Sequence, residues 1–182
     1  MTTLAIPLER LTTEAFAPCG TLIAAGLNRP DFARPKLQNW RLAFASDAPP
    51  RLQVMRYHAQ PMVLSRFERH LCVTEVRCPI GDARGVLVVA GKTDGDAPPR
   101  PDAVRAFLID GTAGVMLDPG VWHGLDCFPV GAPSADFLFL SDAATEDEIE
   151  TVIAGTRTHV VDLGPDVVFE ITDPSGLTRS VP

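Results

Sequence analysis

Two short stretches of the chain carry residue types that bind metal ions and move protons. In the first, Glu68 and His70 stand two residues apart, and Glu75 follows five residues after His70. Residues two apart on a strand point to the same face, so Glu68 and His70 are expected side by side. A bulge or a turn could return Glu75 to that face. Imidazoles and carboxylates in one place suit a divalent metal ion or proton transfer.

The second stretch reads DPGVWH over residues 118–123. Its Pro-Gly turn delivers His123 to the start of a strand, where we expect it to join the first group. Each of these residues could instead have a purely structural role. His123 would otherwise be a hydrogen-bonded core histidine, and Glu68 would form a surface ion pair with Arg66 or Arg69.

Many short strands have to position these groups, since seventeen prolines and fourteen glycines punctuate the whole sequence. Strands are predicted for residues 21–25, 40–44, 52–58, 62–67, 72–78, 86–90, 103–109, 114–117, 125–129, 137–141, 160–163 and 167–171. Helices are predicted for residues 12–16 and 145–154, and loops for residues 28–38 and 92–100. Thr12 or Thr13 would cap the first helix and Thr145 the second. The β-branched run 86–90 is expected to be buried on both faces. An all-β protein follows, an antiparallel barrel or sandwich with one or two short helices.

Size and charge narrow the function classes. The 182 residues suit a single domain, 1–182, with its core at roughly 6–171 and a C-terminal tail at 172–182. A net charge of -7 argues against nucleic-acid binding, because phosphates would be repelled. No apolar run approaches the ~18 residues of a membrane span, and residues 1–10 lack a signal-peptide pattern. The four cysteines form no CxxC pair. We therefore expect reduced thiols, a cytoplasmic location and no membrane partner.

Other side chains are candidates for contacts with an anionic substrate. Arg105 alternates with apolar neighbours, so it either forms a structural salt bridge or clamps a carboxylate, and we favour the clamp. Arg56 shares a strand face with His58 and could line the barrel mouth. Trp122 is either a wall of the pocket or core. Lys92 borders a loop, as a substrate contact or a solvated charge.

The two stretches resemble the paired motifs of the cupin superfamily. The first motif usually reads His-x-His, three or four residues, Glu and then Gly, and here it is matched by Glu68, His70, Glu75 and Gly81. The second motif is matched by Gly114, Pro119, Gly120 and His123. This resemblance implies a cupin-type antiparallel β-barrel or jelly roll. It also implies a divalent metal, such as Ni, Mn, Zn or Fe, on Glu68, His70, Glu75 and His123, with no organic cofactor.

Over roughly residues 6–171 the chain is also similar to the ureidoglycolate lyase family, which is also called ureidoglycolate hydrolase. The similarity is carried by FAP at 16–18, FERH at 67–70, RAF at 105–107, GTAGV at 111–115, GVWH at 120–123 and DFL at 136–138. It implies a carbon–nitrogen lyase that cleaves ureidoglycolate to glyoxylate and urea in allantoin and purine breakdown. Such an enzyme takes a small carboxylate substrate and is expected to be a homodimer. Glu75, His123 and Arg105 would be catalytic, and Arg105, Lys92, Trp122 and Arg56 would contact the substrate.

Three positions depart from that family's pattern. Leu71 stands where a proline is usual, Glu75 where a glutamine is usual, and Gly124 where a second histidine is usual. A glutamate at position 75 would hold a metal more tightly but repel an anionic substrate. Two alternatives therefore stay open. One is another metal-dependent cupin enzyme, an isomerase or hydrolase acting on a small hydroxy acid, and the other is a non-catalytic small-molecule-binding cupin.

Overall fold

The computed structural model describes residues 2–152, 154–164 and 166–179. Its strands are β1 (Thr2–Arg10), β2 (Gly20–Ile23), β3 (Phe32–Arg34), β4 (Leu37–Asn39), β5 (Pro50–His58), β6 (Val63–Leu64), β7 (Arg66–His70), β8 (Glu75–Pro79), β9 (Gly85–Ala90), β10 (Val104–Ile109), β11 (Gly114–Leu117), β12 (Trp122–Pro129), β13 (Ser134–Asp142), β14 (Thr158–Asp162) and β15 (Val167–Thr172). Its helices are α1 (Thr13–Phe16) and α2 (Ala143–Val152), with a 3-10 turn at Pro101–Ala103. The prediction of an all-β barrel with short helices is confirmed.

Two sheets enclose the interior of the barrel. The larger has the strand order β14-β7-β12-β9-β10-β1-β15-β6, and the smaller has the order β2-β11-β8-β13-β5. The pairings within them are antiparallel except at β1, which runs parallel to both β10 and β15. The sequence does not predict β1, because Pro7 interrupts its run and a proline argues against a strand. Ile6 and Leu8 alternate into the core all the same.

Strand β9 is buried on both faces, as its β-branched run predicts. Leu87 and Val89 pack between the two sheets, in a cluster that includes Phe107 of β10 and Phe137 of β13. The opposite face of β9 packs against a second cluster formed where the larger sheet curls over itself. That cluster contains Ile6, Leu8, Phe67, Val86, Val88, Ala90, Trp122, Phe128, Phe169 and Leu177, among others. Leu177 belongs to the predicted C-terminal tail, of which residues 180–182 lie outside the described residues.

Some local predictions are wrong. Residues 40–44 form no strand, and the predicted loop 28–38 instead contains most of the β3–β4 hairpin. The second helix starts at Ala143 rather than at residue 145, because Asp142 and not Thr145 caps it. The Asp142 carboxylate accepts a hydrogen bond from the backbone N–H of Thr145 at 2.8 Å. Thr12 caps α1 as predicted. In the described part of the chain, neither helix has the length and apolar character needed to cross a membrane.

Candidate metal centre

Four side chains from three strands meet inside the barrel. Glu75 Oε2 lies 3.2 Å from Nε2 of His70 and 3.2 Å from Nε2 of His123. Glu68 Oε1 lies 3.5 Å from His123 Nε2. The two imidazole rings are 5.0 Å apart between centroids. These four residues, predicted to lie together, form what we call the His/Glu cluster.

Strand register explains how the His/Glu cluster assembles. His123 pairs with Glu68 across β12 and β7, so both side chains point inward from the larger sheet. The turn before His123 is fixed by its glycine, since Gly120 adopts φ +84° and donates its N–H to the carbonyl of His70 at 2.7 Å. Glu75 does not reach the face of Glu68 and His70 through a bulge in the same strand. It comes from β8 in the opposite sheet and so closes the cluster from the other side.

Hydrogen bonds orient both imidazoles toward the centre of the cluster. His123 Nδ1 lies 3.2 Å from the Val121 carbonyl oxygen, which can only accept, so Nδ1 donates there and Nε2 faces the centre of the cluster, where the neutral ring would offer its lone pair to a metal ion. His70 Nδ1 lies 3.1 Å from the Thr158 hydroxyl, so its Nε2 also points inward. Within the described residues, His123 Nε2 and Glu75 Oε2 are buried 3.2 Å from each other, yet neither makes a hydrogen bond of regular geometry. Buried polar atoms without partners need an explanation.

This donor set fits a divalent metal ion. One ligand atom from each of Glu68, His70 and His123 lies within 4.8 Å of the other two. Two imidazole nitrogens with carboxylate oxygens suit first-row divalent ions. The hydrogen bonds on the outer ring nitrogens are those that metal-binding histidines usually make. An ion would also coordinate the two buried atoms, His123 Nε2 and Glu75 Oε2, that make no regular hydrogen bond.

Arg77 is a functional candidate that the sequence analysis misses. Its Nε donates to Glu75 Oε1 at 2.5 Å, and its side chain is as deeply buried as that of Glu75. Burial opposes ionisation of Glu75, but the charges of Arg77 and His123 hold the pKa of that carboxyl well below its usual range. The sequence contains a signal for the contact between Glu75 and Arg77, because residues 75 and 77 of one strand point to the same face.

The net charge of the site follows from these pairs. Burial lowers the pKa of His123, but Glu75 and Glu68 outweigh it and raise that pKa to about 9. Bound metal would require the neutral imidazole. Two carboxylates and one guanidinium then leave a single negative charge, which a divalent cation converts to a single positive charge. Glu75 therefore does not by itself make the loaded site repel a carboxylate, because Arg77 offsets its charge.

Two predicted substrate contacts point away from the cluster. The guanidinium of Arg105 donates to both carboxylate oxygens of Glu9, at 2.9 and 2.5 Å, and to the carbonyl of Ala15. Arg105 therefore forms the structural salt bridge, not the clamp. Arg56 lies on the outer face of β5 and donates twice to Asp136, both at 2.7 Å. The inward residues of β5 are the odd-numbered ones, so Arg56 and His58 do not line the interior.

Trp122 and Lys92 lie outside the cluster as well. Trp122 is core, on the face of β12 opposite His123, where its indole N–H donates to the Thr93 hydroxyl at 2.8 Å. The guanidinium of Arg69 stacks 4.5 Å above its ring. Lys92 Nζ lies 3.7 Å from a carboxylate oxygen of Asp118 and is half exposed. Lys92 thus contacts the turn that precedes His123 rather than the cluster itself.

The departures at positions 71 and 124 do not alter the interior of the cluster. Gly124 faces the opposite side of the sheet, where a Cβ would come within 2.9 Å of Leu64 and 3.8 Å of Val88. Leu71 follows β7 and is exposed. Of the three departures, only Glu75 points into the cluster, and its charge is offset by Arg77.

Comparison of the sequence with known proteins identifies the family. Residues 3–161 match the family model described as ureidoglycolate lyase. A ureidoglycolate lyase of Burkholderia cepacia is 36% identical over 125 residues, covering 64% of this chain and 68% of that protein. Ureidoglycolate lyase 1 of Rhizobium meliloti is 29% identical over 178 residues, covering 93% of this chain and 95% of that protein. Among solved structures, a dTDP sugar isomerase from Desulfovibrio desulfuricans aligns with 14% identity and a TM-score of 0.42, covering 81% of this chain and 88% of that one.

Proposed function

Since the chain belongs to the ureidoglycolate lyase family, we propose that it cleaves ureidoglycolate to glyoxylate and urea at the His/Glu cluster. One observation carries the proposal. Nε2 of His70 and Nε2 of His123 each lie 3.2 Å from the same oxygen of Glu75 in the barrel interior. Such a centre suits a substrate that offers a hydroxyl beside a carboxylate.

The substrate dictates which groups the enzyme needs. One carbon of ureidoglycolate carries a hydroxyl, a carboxylate and a urea nitrogen. Its cleavage removes the hydroxyl proton, forms the carbonyl of glyoxylate and expels urea. The reaction therefore needs a base near the hydroxyl, positive charge near the carboxylate and an acid near the nitrogen.

Glu68 is the carboxylate that a substrate can reach. Its side chain is 13% exposed, against 2% for Glu75. Burial opposes its ionisation, but the hydrogen bond and charge of His123 keep the Glu68 pKa below its usual value, so it is ionised at neutral pH. Its Oε1 faces His123, which leaves Oε2 to accept the hydroxyl proton. Glu75, fixed by Arg77, instead keeps the histidines in place.

A divalent ion held by Glu68, His70, His123 and Glu75 would supply the positive charge that attracts the carboxylate and lowers the pKa of the hydroxyl. Arg77, which pairs with Glu75, also favours binding of the substrate carboxylate, because its positive charge reduces the repulsion of an anionic substrate. Ni, Mn, Zn and Fe all tolerate a set of imidazole and carboxylate ligands. Elemental analysis of the purified protein identifies the ion.

Incubation with ureidoglycolate tests the proposed activity. We expect glyoxylate to appear faster than in a protein-free control, and chelation followed by removal of the chelator to abolish that excess until metal is restored. Glyoxylate at only the spontaneous rate would contradict the proposal. Thermal stabilisation by ureidoglycolate without turnover would instead indicate a binding protein.

We also propose that the protein is a homodimer in the cytoplasm. The support for the dimer is an apolar strip on the outer face of the smaller sheet. Leu52 and Val54 are each 64% exposed, and Leu138, which pairs with Val54, is 36% exposed. Neighbouring exposed apolar side chains of this kind often mark an interface, and a second copy of the chain offers the same strip to it. All four cysteines, which lie within the described residues, are free thiols, in keeping with a reducing compartment.

A further inference from the structure

A second polar group, separate from the His/Glu cluster, lies where α2 packs against the barrel. Its members are Gln53 of β5, Ser141 of β13 and Glu146 of α2. The side-chain amide of Gln53 donates to Glu146 Oε2 at 2.9 Å. Glu146 is only 5% exposed, and Ser141 is fully buried. In the described part of the chain, Glu146 Oε1 and the Ser141 hydroxyl make no hydrogen bond of regular geometry.

Register places this group next to the His/Glu cluster. Leu140 pairs with Val76, so the following residue, Ser141, lies beside Glu75 and points inward with it. Gln53 pairs with Phe139 and also faces the interior. The charges of Glu75 and His70 act on Glu146. The Glu146 carboxyl therefore lies beside Ser141, the residue next to Glu75 across β13 and β8, and its charge interacts with those of the cluster.

The environment of Glu146 favours its protonated form. Burial raises the Glu146 pKa above its usual value, against the hydrogen bond of Gln53 and the nearby Ser141 hydroxyl, and the charge of Glu75 raises it further. His70 opposes this rise, and Arg51 of β5 is a further charge that interacts with Glu146. A buried carboxyl that stays protonated suits an acid.

We propose that Glu146 is the acid of the reaction and protonates the urea nitrogen as the carbon–nitrogen bond breaks. This inference rests on the proposed lyase function, which requires such an acid and for which the cluster provides none. The hydroxyl proton passes to Glu68, and the O–H electron pair becomes the second bond of the glyoxylate carbonyl. The electron pair of the carbon–nitrogen bond goes to nitrogen, which takes the proton from Glu146 Oε1. Water then carries a proton from Glu68 back to Glu146, so no oxidant or reductant is needed.

Gln53 is a positioning residue in this scheme. By holding Oε2 it leaves Oε1 as the oxygen that can give the proton. Because its hydrogen bond lowers the Glu146 pKa, its removal changes the pH at which the acid is lost.

The test compares Glu146→Gln with Glu150→Gln, the same change on an exposed face of the same helix. We expect E146Q to lower kcat on ureidoglycolate about 100-fold, the scale of general-acid catalysis, while metal content and Tm stay at the wild-type values. We also expect E146Q to lack the alkaline limb of the kcat–pH profile, whereas E150Q retains it. An E146Q variant within about threefold of wild type, with the same profile, would overturn the assignment.

Two further results complete the test. Gln53→Met should move the alkaline limb to higher pH, and this variant decides the question if E146Q does not fold. An unshifted limb there contradicts the role of Glu146. A wild-type protein that releases no glyoxylate above the spontaneous rate overturns the lyase function and this inference together. An active wild type with a fully active E146Q overturns this inference alone.

Discussion

At the residue scale, the ion pair between Glu75 and Arg77 determines both the shape and the charge of the site. Arg77 fixes one oxygen of Glu75, and the other then faces both histidines. An ion pair this deeply buried stabilises the fold only while both partners are present, since either one alone would be an uncompensated charge.

Glu75→Gln should weaken metal binding and destabilise the metal-free protein by about 3 kcal/mol, because Arg77 would lose its counter-ion. Urea unfolding in the presence of chelator measures the stability, and Glu170→Gln, on an exposed side chain, is the matched control. The double variant Glu75→Gln with Arg77→Met should recover part of the loss, since neither charge remains. An E75Q protein as stable as E170Q would show that the pair has no such role.

The raised pKa of His123 predicts how the stability of the metal-free protein depends on pH. Its folded-state pKa is raised to about 9, above the ~6.5 expected for an unfolded chain. Its stabilising contribution is therefore complete below about pH 6.5 and is lost as the pH rises toward 9. The free energy of unfolding should fall between pH 6.5 and 8 in wild type and stay flatter in His123→Gln. The comparison with His123→Gln is needed because two cysteines also lower the stability at higher pH. Burial raises the thiol pKa of Cys19 and Cys127, so their ionisation favours the unfolded chain. Parallel curves would contradict this prediction.

Spacing in the sequence predicts the cluster but not its surroundings. Glu68 and His70 alternate onto one face, and the Pro-Gly turn brings His123 beside them, so local rules suffice there. Arg56 is misplaced because alternation shows that residues share a face without showing which face is inside. Trp122 takes the core alternative, on the face opposite its neighbour His123. Glu146 is missed because its contacts with β5 and β13 join parts of the chain that are distant in sequence. Arg77 is missed although its alternation with Glu75 on β8 is a local pattern.

At the element scale, short buried strands are easier to predict than edges and connections. The β-branched run of β9 indicates burial on both faces without ambiguity. β1 is hidden by Pro7, and its parallel pairing with β15 brings together residues from the two ends of the chain. No local pattern reports such a pairing.

The pairing of β2 with β11 depends on a glycine. Gly20 adopts φ +149°, and a Cβ there would lie 1.9 Å from the Met116 carbonyl oxygen. Gly20→Ala should therefore cost at least ~2 kcal/mol, the scale of overpacking with backbone displacement. Gly26→Ala is the control, because Gly26 also has a positive φ but no atom within 4 Å of the added Cβ. Chemical unfolding of both variants compares them, and equal losses would mean that the close approach is unimportant.

At the scale of the whole molecule, the proposed dimer places the apolar strip of β5 and β13 against a second copy. Val54→Glu should convert the dimer to a monomer, because it buries a charge at that contact. Analytical ultracentrifugation of V54E, beside Val63→Glu on β6 of the other sheet, measures this. Val63 is 42% exposed and lies outside the strip. A V54E protein that stays dimeric would show that the copies meet elsewhere.

The central claim is that the His/Glu cluster inside the barrel is the site of carbon–nitrogen cleavage. It is tested most directly by the rate of glyoxylate release from ureidoglycolate by wild type, His123→Ala and His58→Ala, at equal protein concentration and at a temperature below the Tm of all three. His58 is an exposed histidine on the outer face of β5, which makes it the matched control. We predict that H58A keeps the wild-type rate while H123A falls to the spontaneous rate and loses its metal. An H123A protein that releases glyoxylate as fast as H58A would contradict the account.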